Sequence, residues 1–119
     1  MDLETARQYA LSKKATTESF PFDDQALVFK VMNKMFAVMS LARQPTSMNL
    51  KCDPERAVEL REEYPESVLP AWHMNKTHWN SVVLESELSD KKIRELIDLS
   101  YDLVVAKMTK KMRAELDAL

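Results

Sequence analysis

The sequence contains no glycine in 119 residues. At an average usage of about 7%, roughly eight would be expected. This absence excludes the glycine-rich phosphate loops, because both the Walker A loop and G-x-G-x-x-G need glycine for close backbone approach to phosphate. It also removes the usual residue for positive φ. Left-handed turns must therefore fall on Asn, Asp or another tolerant residue.

The remaining composition is that of an ordinary globular chain, with 45% hydrophobic and 30% charged residues. The length predicts a single domain, residues 1–119, around one core. A net charge of −2 gives no overall electrostatic pull toward nucleic acid or anionic membrane, although a local basic patch is compatible with it. No apolar run approaches the ~20 residues needed to span a bilayer. The opening Met-Asp-Leu-Glu-Thr lacks the basic-then-apolar order of a signal peptide. With the single Cys52, these features predict a cytoplasmic protein in a reducing setting.

Hydrophobic spacing predicts helix, meander, helix, strand, helix, which is an α+β pattern with helices on one sheet face. Asp2 caps a first helix carrying Leu3, Ala6, Ala10 and Leu11 at helical spacing, with Lys13 and Lys14 near its C-terminus. Thr16 to Phe22, interrupted by Pro21, predicts a short edge strand. Ala26–Met32 and Met35–Leu41 read as strands joined by an Asn33-Lys34 turn. Ala42–Thr46 is a second turn, and Ser47–Cys52 alternates between apolar and polar positions. The meander is thus expected to have a polar outer face. Asp53-Pro54-Glu55 starts a helix with Ala57, Leu60 and Tyr64 on one stripe. Glu66–Ala71 reads as irregular, and Trp79–Leu84 as the last strand. From Ser89, Ile93, Leu96, Ile97, Tyr101, Val104 and Met108 mark the longest helix. Thr109 caps a short terminal one.

The densest polar run is His73-Met74-Asn75-Lys76-Thr77-His78-Trp79-Asn80. Its imidazoles, amides, ammonium and indole suit hydrogen bonding, stacking and phosphate contact. Trp79 reads equally well as core packing, and Asn75 as a turn residue. Metal ligation is not expected. His73 and His78 are five apart with only Cys52 upstream, which matches no ligand spacing. A Cys52–His nucleophilic dyad is disfavoured, because alternation puts Cys52 on the apolar strand face as a buried thiol. No cofactor and no catalytic residue are predicted, and the chain reads as a non-enzyme. Lys30 and Lys34 flank the first hairpin turn, Arg43 sits in the second, and Lys51 lies on the polar strand face. This basic set can track phosphates or serve only as solubilising surface.

Several pieces together resemble the MmcQ/YjbR family. They are Ser19-Phe20-Pro21-Phe22, Val28-Phe29-Lys30-Val31, Lys34-Met35-Phe36-Ala37, Asn49-Leu50-Lys51-Cys52, His73-Met74-Asn75-Lys76, His78-Trp79-Asn80 and Ser100-Tyr101-Asp102-Leu103-Val104. The resemblance runs from the first helix to about Arg113. It implies a bacterial α+β domain with a CyaY-like, frataxin-like sandwich. It also implies DNA binding through a double wing of β-hairpins. The family pattern covers Lys30, Lys34, Lys51, His73, Asn75, Lys76, His78 and Trp79, the expected DNA- or ligand-binding residues. Two other readings stand beside DNA binding. One is a pocket for a small anionic ligand around His73, Lys76, His78 and Trp79. The other is a protein-interaction module.

Relatives tend to carry glycine where this chain has Ala15, Asp23, Asn33, Ala71 and Ser86, and proline where it has Ser89. Deliberate removal of glycine and a natural glycine-poor relative both account for this. Either way, those positions are where positive φ is expected.

Overall fold

The computed structural model describes residues 1–119 and is α+β. Its elements are α1 (Leu3–Leu11), β1 (Thr16–Ser19), β2 (Ala26–Val31), β3 (Lys34–Ser40), β4 (Ser47–Lys51), α2 (Pro54–Glu63), β5 (Val68–Pro70), β6 (Trp79–Val83), α3 (Asp90–Ala106) and α4 (Lys110–Asp117). The six strands form one open antiparallel sheet in the order β1-β2-β3-β4-β6-β5. No helix is long and apolar enough to cross a membrane.

The helices begin where their caps dictate. The side chains of Asp2, Ser89 and Thr109 accept from the N–H groups of Thr5, Lys92 and Met112. Each satisfies one donor that a helix start leaves without a partner. Asp53 makes no such side-chain bond, so α2 starts on the pre-set φ of Pro54 instead.

Alternation along the strands sorts the sheet into two faces. On the inner face, one row runs Leu27–Met39–Met48–Val82–Val68 and the next Phe29–Ala37–Leu50–Asn80. These apolar rows pack with Ala6 and Ala10 of α1, Ala57 and Leu60 of α2, Ile93, Ile97 and Tyr101 of α3, and Leu116 of α4. Phe29, Phe36 and Tyr101 meet as an aromatic chain, with centroid separations of 6.5 and 5.3 Å. The inner-row Asn80 is satisfied by α2. Its amide donates to Ala57 O at 3.2 Å, and its Oδ1 accepts from Arg61 at 2.7 Å.

The β2–β3 register slips after Phe29, leaving Phe36 as an extra residue in β3. Such a bulge leaves a backbone carbonyl outside the ladder. Buried Ser100 of α3 answers it. Its hydroxyl donates to Phe36 O at 2.5 Å and accepts from Lys51 N–H at 2.8 Å. The β3–β4 pairing ends one step earlier, at Ala37↔Leu50. Ser100 therefore wedges the two strands apart at that end.

Three sequence expectations are corrected. The first concerns the hairpin turn, which is Met32-Asn33, one residue earlier than expected, with Val31 paired to Lys34. Both turn residues have positive φ, 48° and 65°, as a tight two-residue hairpin connection needs. The second is that part of the supposedly irregular Glu66–Ala71 forms edge strand β5. The third is that the outer face is largely covered. Its central row is Val28–Val38–Asn49–Ser81, and all four side chains are buried. Loops that the alternation pattern cannot foresee lie over it.

Ala15 also has positive φ, 58°, as its glycine-like position predicts, and His73 joins it at 54°. Asp23, Ala71 and Ser86 do not adopt it. Asp23 and Ser86 turn the chain with side-chain bonds instead. Asp23 Oδ1 accepts from Gln25 and Ala26 N–H, and Ser86 Oγ accepts from Leu88 N–H. Side-chain turns of this kind need no left-handed residue.

Candidate ligand-binding cleft

Three loops meet over the outer sheet face. The first, residues 20–25, is shaped by the Asp23 turn. Its two backbone hydrogen bonds hold the Asp23 carboxyl below the usual carboxylate range. It presents Phe22, which is 72% exposed. The second follows β3, where Ser40 Oγ accepts from the N–H groups of Ala42 and Arg43. The third runs from Ala71 to His78 and is fixed from beneath. Buried Asn49 donates to Trp72 O at 2.8 Å, and Arg61 donates to Lys76 O at 3.2 Å. Asn75 Oδ1 accepts from Thr77 N–H, closing a local turn.

Between these loops lies a cleft of about 600 Å³. Val38, Met35 and Ala26 contribute its apolar sheet side, while Phe22, Trp72 and Met74 come from the loops. Arg43 lies over the Trp72 indole, 5.3 Å from the ring centroid. The His73 ring meets the same indole edge-on at 6.1 Å. Asp23, Gln25, Ser40 and Asn75 complete the polar lining, so the cleft holds one carboxylate as well as the Arg43 guanidinium. The volume is in the range of small-molecule sites, as is the combination of apolar walls with a few convergent polar groups. Two buried polar atoms on this side, Asn49 Oδ1 and Trp72 Nε1, have no hydrogen-bond partner in the protein. The left-handed backbone of His73 is a further cost at the same place, although His tolerates it better than most residues.

The eight residues singled out in the sequence do not gather at one place. His73 and Asn75 line the cleft. Lys30 and Lys51 occupy outer-face strand positions, Lys30 opposite Met35 and Lys51 opposite Trp79. Lys34 and Lys51 line a second cavity of about 230 Å³ with Lys107. Trp79 is only 8% exposed and lies under the Lys51 ammonium, 6.0 Å from ring to nitrogen. Lys76 is exposed, and its carbonyl receives Arg61. His78 uses its carbonyl to accept from Cys52 N–H. Lys76, His78 and Trp79 line neither cavity. Cys52 packs into the helix-side core, where burial pushes its thiol pKa up, while His73 lines the opposite face.

Sequence reasoning did not place Phe22, Trp72 and Arg43 together. Trp72 adjoins the singled-out run, and that adjacency was the one available signal. The cleft depends on loops far apart in sequence, so no local motif encodes it.

Known proteins agree with this architecture. The YjbR family model matches residues 11–103. Uncharacterized protein YbdF of Escherichia coli O157:H7 is 38% identical over 108 residues, covering 91% of this chain and 88% of that protein. Uncharacterized protein YjbR of Escherichia coli K12 is 33% identical over 105 residues, covering 88% of each. The crystal structure of Deinococcus radiodurans protein DR2400, with its DUF419 domain, superposes with a TM-score of 0.90 at 38% identity. That match covers 97% of this chain and 87% of the other. A Pseudomonas syringae crystal structure matches with a TM-score of 0.72 at 28% identity, covering 87% and 99%. The family match reaches from the end of α1 into α3 and includes both the outer sheet face and the loop that carries Trp72; the chain belongs to the YjbR family.

Proposed function

We propose that this protein binds a small molecule without transforming it, in the cleft on the outer sheet face. The observation that carries this reading is the cleft itself, where Arg43, Trp72 and Phe22 surround an apolar sheet surface. A flat ligand would bury its ring among Phe22, Trp72 and Val38, and an anionic end would meet Arg43. Charge and stacking on one residue pair suit an aromatic acid or a nucleotide. Trp72 is an intrinsic reporter once the second tryptophan is silenced by Trp79→Phe. Its fluorescence should change saturably with one class in a panel of aromatic carboxylates, nucleotides and sugar phosphates. Exposed Arg43→Ala should weaken that binding roughly tenfold, the usual worth of one charge-assisted contact. Absence of any saturable response across the panel would overturn the reading.

DNA binding is the second reading. It is favoured by the lysines of β2, β3 and β4, since Lys30, Lys34 and Lys51 have no carboxylate within ion-pair distance. It predicts duplex affinity that falls with salt, with a log–log slope of about −3 for three phosphate contacts. Fluorescence anisotropy of a labelled duplex between ~50 and ~200 mM salt tests it. A salt-independent signal, or none at the low end, would exclude it.

A further inference from the structure

We infer that the second cavity is a binding site for a phosphate group, held by Lys34, Lys51 and Lys107. The cavity of about 230 Å³ lies where β3 and β4 part and α3 ends. The chain builds it from three directions. Lys34 opens β3 directly after the Met32-Asn33 turn, Lys51 closes β4, and Lys107 is the C-cap of α3. The Ser100 wedge keeps the two strands apart just inside this end. Met35, Val104 and Met108 supply the apolar remainder of the lining.

Three lysines thus line one small cavity, and none has a carboxylate within 4.0 Å of its ammonium. The contrast with Lys13 is direct, because that ammonium is paired with Asp98 at 2.8 Å. Burial and the neighbouring Lys107 charge hold Lys51 below the usual lysine range. Like charges gathered without a counter-charge repel one another, and a dianion relieves that repulsion. Lysine suits this task as a point-charge donor to phosphate oxygens. The C-terminal carbonyls of α3 compete for the same charges, because that helix end is electronegative. Lysines serving only the helix end need no anion, and the experiment below separates the two roles. The site is independent of what fills the cleft, although Met35 lines both cavities.

The test is a titration of the full chain with inorganic phosphate at constant ionic strength, followed by the NMR signals of the Met108 methyl and the lysine ammonium groups. Saturable shifts at both are expected, with chloride at equal ionic strength producing none. Lys107→Gln and Lys34→Gln are exposed changes that leave the core intact, as unchanged melting temperatures will verify. Each should weaken phosphate at least about tenfold. A short DNA duplex forms the second arm. If the phosphate recognised is that of a nucleic acid, the duplex moves the same signals at far lower concentration and with steep salt dependence. If it is a free or small-molecule phosphate, inorganic phosphate saturates the site and the duplex does not compete. Shifts that grow linearly, that chloride reproduces, or that survive both lysine changes would overturn the assignment. The Trp72 response to cleft ligands is read separately, so failure of one site does not decide the other.

Discussion

Replacing Ser100 by Ala removes the hydroxyl that joins α3 to both central strands. The side chain is fully buried and makes two hydrogen bonds, to Phe36 O and from Lys51 N–H. An unsatisfied buried backbone group costs about 1–3 kcal/mol. Phe36 is fully buried, so its carbonyl should bear the upper part of that range. Lys51 is partly exposed, so its N–H should cost near the lower end. The sum is about 2–4 kcal/mol, a large share of the roughly 5–15 kcal/mol typical of such chains. With a urea slope of about 1.5 kcal/mol per molar, the unfolding midpoint should fall by about 2 M at unchanged slope. Amide exchange should show the Lys51 N–H losing protection selectively. A loss below about 1 kcal/mol with Lys51 still protected would mean that the strands close into a direct bond. That result would refute the wedge and the cavity mouth built upon it.

Three further outcomes are expected. Ala15→Gly should stabilise the chain by about 0.5–1 kcal/mol in urea unfolding, because it relieves a left-handed alanine at φ 58°; a net loss would show that the Ala15 methyl packing outweighs the strain. Cys52, with its thiol pKa raised by burial, should react with iodoacetamide far more slowly in the native state than in denaturant at pH 8; equal rates would place the thiol at the surface. The Asp23 turn has a depressed carboxyl pKa, so its contribution is present above the ordinary value of 3.8 and is lost as pH falls through the lower folded value. NMR signals of Gln25 and Ala26 should report that loss below about pH 4, and Asp23→Ala, which lacks the carboxyl, should show a disordered turn at every pH and no such transition; no acid-linked change in the unaltered chain would remove Asp23 as the organiser of the cleft rim.

The helices were legible because each carries a local signal. Ser89 and Thr109 cap where their sequences indicate, and the 3/4 spacing from Ile93 to Val104 fixes the buried stripe of α3, which ends at Ala106, short of the expected Met108. Sheet alternation was equally plain in Met48, Leu50 and Cys52, all of which enter the core. What failed depended on distant partners. Asn49 looks like a solvated strand residue, yet the loop bearing Trp72 covers it and takes its hydrogen bond. Val68–Pro70 becomes a strand only because β6 lies beside it. Asn33 was recognisable as a turn residue, but Met32 was not, since its side chain gives no hint of positive φ. The absent glycines pointed correctly to Ala15 and Asn33 and misleadingly to Asp23 and Ser86, where side-chain hydrogen bonds bend the chain instead. The site was the least legible part. The polar run from His73 marked one wall, but Phe22, Arg43 and Val38 reach it only through the fold.

The most direct test of the account is an NMR map of the chain titrated with the strongest ligand from the aromatic-acid and nucleotide panel. The Trp72 indole, the Val38 methyls and the Met74 methyl should shift together along one saturation curve, while Ile93 and Ile97 beneath the sheet stay still. Shifts confined to the helix side, or no compound that saturates the cleft signals, would contradict it.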